Sequence, residues 1–338
     1  GVPADKLQQR LNRTSWLLNG FVTACDWLAS NETWFPRVSG RFDERCVDYW
    51  KEACVRADAA LAESGLMGGG LAPPPSISQL CPKAVEPTLL QRWCGSVPLS
   101  DAPALFVLED ATGAGKTEAA LILASRLAEK GNRDRIALAL PTMATANAMF
   151  SRLSSAMNVL FAAGSGATRI LAHSNAAQNR AYRAALNDEE VADWFAESSR
   201  KRLFASLSVA TVDQYLKAIL KIRYQSLRLL AVSRTVLILD EVHAYDAYMN
   251  KLIRRLLEVH AHYGGSAVLL SATLPAETKK AFFAAYAKTD EGKLADADAE
   301  VEVPCATYSF AGTAPQSEEF GASRASRQVA LQFLRSER

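Results

Sequence analysis

Closely spaced cysteines are absent from this 338-residue sequence. Its six cysteines form no C-x-x-C pair and no short repeated spacing, which argues against a metal finger and favours free thiols in a reducing cytoplasm. Long apolar runs are absent too, since none approaches the ~20 residues of a membrane span. The N-terminus has no basic stretch followed by an apolar core, so we expect no signal peptide there. These absences predict a cytoplasmic protein that makes no membrane contact.

An excess of either charge is also missing. Lysine and arginine number 38 and aspartate and glutamate 36, which gives a net charge of +2. Any contact with nucleic acid would therefore depend on a local patch. Histidine is scarce, with four residues and none before His173. Only His260 and His262 lie close together, and positions i and i+2 of a helix do not share a face, so we expect both to be solvated.

A glycine-rich stretch at residues 111–118, with the sequence ATGAGKTE, stands out against these absences. It follows an apolar run, Ala104 to Leu108, that is typical of a buried strand. It opens a segment with helical spacing that ends at Gly131. Strand, glycine loop and helix in this order predict a phosphate-binding loop. The alternative is a chance glycine turn before a helix.

The chemistry of a phosphate loop accounts for the residue types in this stretch. Gly113 and Gly115 allow the backbone to bend so that several N–H groups face one cavity. Lys116 can reach the β- and γ-phosphates, and the Thr117 hydroxyl can hold Mg²⁺. Asp110 stands where the full motif has its first glycine. We expect ATP to contact Thr112, Gly113, Ala114, Gly115, Lys116, Thr117 and Glu118.

A glutamine precedes the loop in the string Pro87-Thr88-Leu89-Leu90-Gln91. An amide both donates and accepts hydrogen bonds, so Gln91 could read the edge of adenine.

Beyond Gly131, apolar runs alternate with segments of helical spacing. This alternation predicts an α/β fold with a parallel, doubly wound sheet and helices on both faces. Ligands gather at the carboxyl ends of strands in such sheets. The predicted strands end at polar motifs, which are Pro141-Thr142, Thr211-Val212-Asp213-Gln214, Asp240-Glu241-Val242-His243 and Ser271-Ala272-Thr273.

The Asp240–His243 string suits the acidic partner of a phosphate loop. Asp240 can hold Mg²⁺ through its water shell, and Glu241 can orient and deprotonate the attacking water. His243 could connect this site by hydrogen bonds to Ser271 and Thr273, which we assign to coupling. We therefore assign catalysis to Lys116, Asp240, Glu241 and His243.

Two other strand ends carry small hydroxyl and amide side chains that could bind a nucleic-acid backbone. The candidates are Thr142, Thr145, Asn147, Thr211 and Gln214. Helix capping would explain Thr142 and Thr211 equally well. Near the N-terminus, Asp26 lies among apolar residues of a predicted helix, where it could be a capping residue, a paired residue or a metal ligand.

Together these motifs resemble a superfamily-two DExH helicase core. Three strings, at residues 139–149, 211–214 and 240–246, are similar to those of the CRISPR-associated helicase-nuclease of type I interference. The stretch Cys25 to Pro36 resembles a late helix of its HD nuclease domain. The resemblance implies a helicase that uses ATP and Mg²⁺ to unwind target DNA, with single-stranded DNA and a crRNA-guided surveillance complex as partners. It makes Asp26 a candidate HD metal ligand, but the histidine ligands of an HD site are absent, so we expect no nuclease activity from this chain alone.

The resemblance also predicts the domain order. We expect the C-terminal helices of an HD-type domain at 1–64, a Gly/Pro linker at 65–80 and the first RecA-like ATPase domain at 81–290. At 291–338 we expect an irregular tail and then a helix, at 324–338, that lead toward a missing second RecA-like domain. A divalent transition metal would be needed only with the full HD domain. Two alternatives stay open: a nucleotide-binding half-module that serves as an interaction surface, and a DExH RNA helicase outside CRISPR.

Overall fold

A computed structural model describes residues 4–37, 46–82, 86–187, 201–289 and 302–321. In these residues eight strands form one sheet, in the order β3-β4-β2-β5-β6-β1-β7-β8. The strands are β1 Ala104–Glu109, β2 Arg135–Leu140, β3 Arg169–Ala172, β4 Leu207–Thr211, β5 Thr235–Leu239, β6 Ala267–Ser271, β7 Cys305–Phe310 and β8 Gln316–Glu319.

Strands β1 to β6 are parallel and buried along their whole length. Helices cover both faces of a parallel sheet, so its strands are continuous apolar runs and not alternating ones. The described helices are α1 Ala4–Ala29, α2 Cys46–Ser64, α3 Ile77–Leu80, α4 Leu89–Ser96, α5 Lys116–Lys130, α6 Met143–Arg152, α7 Met157–Leu160, α8 Arg180–Asn187, α9 Val212–Leu216, α10 Gln225–Ser233, α11 Ala247–His262 and α12 Ala276–Ala287. The predicted parallel α/β fold is confirmed.

The expectation of an irregular tail is wrong for part of residues 291–338. Strand β7 pairs antiparallel with β1, with Ala104 opposite Phe310, and β8 pairs antiparallel with β7. Tyr308 stacks on Phe106 of β1 with ring centroids 5.4 Å apart and planes 8° apart. The helix predicted at 324–338 lies outside the described residues. These strands could not be predicted from an apolar pattern, because β8 is exposed and β7 is only partly apolar.

The Gly/Pro segment at 65–80 is docked on the sheet domain. The N–H of Gly69 donates to Ser206 Oγ over 2.9 Å. The N–H of Ala72 donates to the carbonyl of Leu160 over 3.0 Å. A Cβ built on Gly69 would lie 2.2 Å from Cβ of Ala167. The segment therefore has fixed contacts with the domain that it precedes, although its composition is typical of a flexible linker.

Helix α1 also contacts the sheet domain, through α10. Gly20 faces the backbone of Ser226, whose carbonyl oxygen would lie 2.3 Å from an added Cβ. Trp27 meets Tyr224 edge-on with ring centroids 5.0 Å apart. Because Gly20 has no side chain, α1 can approach the α10 backbone closely.

The histidine pair on α11 differs from expectation. His260 is buried, its Nε2 lies 3.0 Å from the carbonyl oxygen of Ser266, and burial lowers its pKa to about 4. The prediction that it is solvated is wrong, because the ring fills the space beside Gly265, where no Cβ could fit. Within the described ranges, no helix is long and apolar enough to cross a membrane.

Candidate active site

The glycine-rich stretch forms the turn between β1 and α5. Gly113 and Gly115 have φ angles of +76° and +87°, which side-chain-bearing residues rarely adopt. Helix α5 begins at Lys116, so its first N–H groups face the concave side of the loop. The strand, loop and helix that the sequence predicted are present in that order.

Gln91 holds the loop from the side of α4. Thr88 caps α4, and the Gln91 carboxamide oxygen accepts from the N–H of Thr88 over 2.9 Å. The amide nitrogen of Gln91 donates to the carbonyl of Gly115 over 3.1 Å. A Cβ on Gly115 would lie 2.3 Å from that nitrogen, so a side chain there would displace the Gln91 amide. Gln91 thus positions the phosphate loop, and its contact with adenine stays a prediction.

Lys116 lies in the middle of the site. Its ammonium donates to the carbonyls of Asp110 and Ala111, the latter over 3.0 Å. Burial lowers the pKa of Lys116, while the carboxylates of Glu241, Asp110 and Asp240 act in the opposite direction. The amine therefore lies close to three acidic groups and can also reach a negatively charged ligand.

Asp240 and Glu241 follow β5 at the same edge of the sheet. The N–H of Glu241 donates to Asp240 Oδ1 over 2.9 Å. Burial and the neighbouring Glu241 raise the pKa of Asp240, and that N–H, Lys116 and Arg152 counter the shift. Glu241 has a φ of +53°. Positive φ in a side-chain-bearing residue is uncommon and is concentrated at functional sites.

His243 joins the acidic pair to the end of β6. Its Nε2 lies 3.3 Å from Glu241 Oε2, and its Nδ1 lies 3.2 Å from Ser271 Oγ and 3.4 Å from the backbone nitrogen of Ala272. Ser271 Oγ donates to the carbonyl of Thr273 over 2.9 Å. The predicted link between His243 and the Ser-Ala-Thr element is present.

The phosphate loop, Gln91, Asp240 and Glu241 line one cleft of about 690 Å³, a volume within the usual range for small-ligand sites. His243, Ser271 and Thr273 lie outside the lining of this cleft. Ile77 and Cys81, in and just after the docked Gly/Pro segment, form part of its wall. The Thr117 hydroxyl and the Asp240 carboxylate are the oxygen donors that Mg²⁺ prefers. The predicted residues that line the cleft are Gln91, Thr112, Gly113, Ala114, Gly115, Lys116, Thr117, Glu118, Thr145, Asp240 and Glu241.

The nucleic-acid candidates follow β2 and β4, which are neighbours in the sheet. Thr142 and Thr145 cap α6 reciprocally, so the capping explanation applies to Thr142. Asn147 Oδ1 lies 2.8 Å from Nε2 of His173, at the end of β3. The N–H of Asn175 faces His173 Nδ1 at 3.2 Å, so Nε2 carries the proton and donates to Asn147. Burial and the Arg202 charge lower the pKa of His173, and Asp213 acts in the opposite direction.

The other two candidates are buried and differ in their bonds. Thr211 precedes α9 but makes no side-chain cap bond, so capping does not explain it. The Gln214 amide nitrogen donates to Asp213 over 2.7 Å, and its oxygen accepts from Lys217 over 3.1 Å. Their contact with nucleic acid stays a prediction.

Asp26 lies exposed on α1. Among the residues that the structure describes, no group of three or more His, Cys, Asp or Glu side chains could hold a metal ion. Asp26 therefore has no companion ligands in the described part of the chain.

Sequence reasoning did not identify two charged pairs. Glu109, the last residue of β1, pairs with Lys279 of α12, and Glu118 pairs with Arg152 of α6. For Glu109 the sequence held one signal, because an acidic residue at the buried end of an apolar strand needs a partner of opposite charge. No such signal marked the pair of Glu118 and Arg152.

A RecA-like sheet that carries a phosphate loop and an Asp-Glu pair at its carboxyl edge defines the class of superfamily-two helicase domains. The profile described as DEAD/DEAH box helicase matches residues 100–282, more than half of the sequence. This chain belongs to the DEAD/DEAH box helicase family. A second profile, described as the HD domain of Cas3, matches residues 2–35.

Similar proteins indicate which kind of helicase this chain resembles. The CRISPR-associated endonuclease/helicase Cas3 of Escherichia coli is 34% identical over 290 residues, which cover 80% of this chain and 32% of the relative. The protein of the same name from Thermus thermophilus is 37% identical over 281 residues, which cover 78% of this chain and 30% of the relative. The predicted resemblance to CRISPR-associated helicase-nucleases is confirmed. The chain spans about a third of the length of these relatives.

Solved structures with a similar fold also come from CRISPR-associated proteins. A structure described as T. fusca Cas3-ATP aligns with a TM-score of 0.80 at 28% identity over 93% of this chain and 36% of that chain. A chain of a structure described as a CRISPR RNA-guided surveillance complex, pre-nicking, aligns with a TM-score of 0.61 at 25% identity over 90% of this chain and 31% of that chain.

Proposed function

We propose that this chain is the motor portion of an ATP-dependent DNA helicase or translocase of CRISPR type I interference, which unwinds target DNA for degradation by an HD nuclease. One observation carries the proposal. Glu241, beside the phosphate loop, connects through His243 to Ser271 and Ala272 at the end of the next strand. A site that only binds nucleotide does not need this connection. In a motor, a change at Glu241 during hydrolysis has to reach other parts of the domain.

The residues of the cleft suit ATP hydrolysis. Lys116 would neutralise charge on the β- and γ-phosphates, and the N–H groups of the loop would bind phosphate oxygens. Glu241 would orient a water molecule and accept its proton. Thr117 and Asp240 would hold Mg²⁺, which lowers the cost of charge that develops on the phosphates. The protein's contribution is to fix these groups before the substrate binds.

Single-stranded DNA would lie along the ends of β2 and β4. The exposed hydroxyls of Thr142 and Thr145 are available there, and Asn147 has its amide oriented by His173. Hydroxyl and amide groups of this kind contact the sugar-phosphate backbone without reading sequence, as a translocating motor requires. Thr211 and Gln214, at the end of β4, are included in the proposed contact on the basis of the sequence, although both side chains are buried.

The relatives support the proposed partners. Since an aligned chain belongs to a structure described as a CRISPR RNA-guided surveillance complex, we propose such a complex as the source of the DNA. Asp26 would contribute one ligand to a transition-metal site, and the others would have to come from the rest of an HD domain. Nuclease activity is therefore not expected of this chain alone.

The test is ATP binding and turnover by the full chain, with and without single-stranded DNA. We expect DNA to stimulate turnover and Lys116→Ala to abolish it. Lys130→Ala, at the exposed opposite end of the same helix, is the matched control and should behave like the unmutated chain.

The outcomes separate the alternatives. ATP binding without turnover would favour the nucleotide-binding half-module that acts as an interaction surface. Turnover that RNA stimulates and DNA does not would favour an RNA helicase outside CRISPR. Absence of nucleotide binding by the unmutated chain would overturn the assignment of the phosphate loop itself.

A further inference from the structure

Glu118, in the first turn of α5, has a carboxylate oxygen that its surroundings do not satisfy. The side chain is 13% exposed, and Oε1 pairs with the guanidinium of Arg152 from α6. Oε2 is buried and has no hydrogen-bond partner within the described ranges. A buried carboxylate oxygen without a donor is costly, so its position calls for an explanation.

Glu118 lines the cleft, and its unsatisfied oxygen lies beside Gly115. An added Cβ at Gly115 would be 3.8 Å from Glu118 Oε2 and 2.3 Å from the amide nitrogen of Gln91. Glu118 Oε2 and the Gln91 amide therefore lie on the same side of the loop, and both residues line the cleft. Lys116 does not pair with Glu118, because its ammonium donates to the carbonyls of Asp110 and Ala111.

The chemistry of a nucleotide restricts what Glu118 Oε2 could bind. Phosphate oxygens are anionic acceptors and would repel a carboxylate. Ribose hydroxyls are donors, and they lie between the phosphates and the base. Arg152 offsets the negative charge of Glu118 and fixes its orientation through Oε1, which leaves Oε2 to accept from a ligand.

We propose that Glu118 accepts a hydrogen bond from a ribose hydroxyl of the bound nucleotide, with Arg152 as its positioning residue. The cleft consequently binds ATP more tightly than the deoxy analogue that lacks this hydroxyl. This inference rests on the proposed nucleotide-binding function and adds a specificity determinant to it.

Equilibrium binding of ATP, 2′-deoxy-ATP and 3′-deoxy-ATP to the full chain, measured by calorimetry, tests the proposal. The unmutated chain should bind at least one deoxy analogue about tenfold more weakly than ATP, the usual effect of losing a hydrogen bond to a charged group. Glu118→Ala should bind ATP and that analogue equally. Arg152→Gln should reduce the preference without abolishing it, since the acceptor remains but is less well oriented.

Glu129→Ala, an exposed acidic residue of the same helix, is the matched control and should keep the full preference. Equal binding of all three nucleotides by the unmutated chain would overturn the proposal without any variant. So would a Glu118→Ala chain that binds every nucleotide more weakly but by the same factor, because Glu118 would then act on the loop or on the metal. If the unmutated chain bound no nucleotide, the proposed function itself would fail, which is a distinct result.

Discussion

Glu109 and Lys279 form an ion pair in the interior of the domain, with side chains 3% and 9% exposed. Glu109 is the last residue of β1, one residue before the start of the phosphate-loop motif at Asp110. Its Oε1 accepts from the N–H of Leu274 over 2.8 Å, and its Oε2 lies 3.6 Å from the Cys305 thiol. A single carboxylate thus joins β1, the loop after β6, α12 and β7, and holds that loop against the strand that carries the phosphate site.

Removal of the cation should destabilise the fold strongly. Lys279→Met leaves a buried carboxylate without its counter-charge, and we expect the free energy of unfolding to fall by about 3–5 kcal/mol. Urea denaturation measures the change. The double variant Glu109→Gln/Lys279→Met should recover part of the loss, and Lys251→Met, an exposed lysine on α11, should have little effect. A loss in Lys251→Met as large as that in Lys279→Met would contradict this explanation.

The two glycines of the phosphate loop should respond differently to alanine. Both have positive φ, so each substitution carries a backbone cost of about 1–2 kcal/mol. Gly115→Ala also displaces the Gln91 amide from its hydrogen bond to the Gly115 carbonyl, which should cost roughly a further 0.5–1.5 kcal/mol. At Gly113 no atom lies within 4 Å of the added Cβ. Thermal or urea unfolding compares the variants, and equal losses would show that the Gln91 contact does not restrict the loop.

The ionised carboxylate of Asp240 should reduce stability at neutral pH. Its pKa in the fold is raised above the ordinary 3.8, chiefly by burial, so the folded state holds its proton over a range in which the unfolded chain has lost it. Stability therefore falls as pH rises through that range. Asp240→Asn should be more stable than the unmutated chain above the raised pKa, with the difference vanishing below pH 3.8. Urea unfolding across pH would contradict this if the difference grew as pH falls.

His243 should matter more for stimulation by DNA than for affinity. His243→Ala breaks the connection from Glu241 to Ser271 without touching the phosphate loop. We expect DNA-stimulated ATP turnover to fall roughly tenfold, as for a lost hydrogen bond to a charged group, with a smaller change in ATP affinity. His262→Ala, on α11, is the control. If turnover and its DNA dependence were unchanged in His243→Ala, the coupling role would be wrong.

Adjacent glycines of the Gly/Pro segment test whether it is docked. At Gly69 an added Cβ would lie 2.2 Å from Cβ of Ala167, and at Gly70 the nearest atom, Cβ of Ser165, is 3.8 Å away. We expect Gly69→Ala to cost about 1–3 kcal/mol and Gly70→Ala to change stability by less than about 0.5 kcal/mol. Urea unfolding measures both. A neutral Gly69→Ala would indicate a segment free of the domain.

Much of the fold and the cleft was predictable because the signals are local. The phosphate loop lies between an apolar run and a helical segment. Its glycines indicate positions where the backbone can adopt a positive φ. Asp240 and Glu241 follow the most apolar strand, and parallel strands bring their carboxyl ends to one edge. Strands β7 and β8 were not predictable, because β8 is exposed and carries no apolar pattern.

The sequence by itself determined the parallel α/β fold and which residues meet at the phosphate loop, since each depends on contiguous residues and on one topological rule. Only the tertiary structure decided that Glu109 meets Lys279, that Glu118 meets Arg152 with one oxygen left over, and that residues 65–80 pack on the domain. These contacts join residues far apart in the chain. The ion pairs depend on burial of charge, and the docking of residues 65–80 depends on a glycine where a Cβ would not fit. Neither can be inferred from a local sequence pattern.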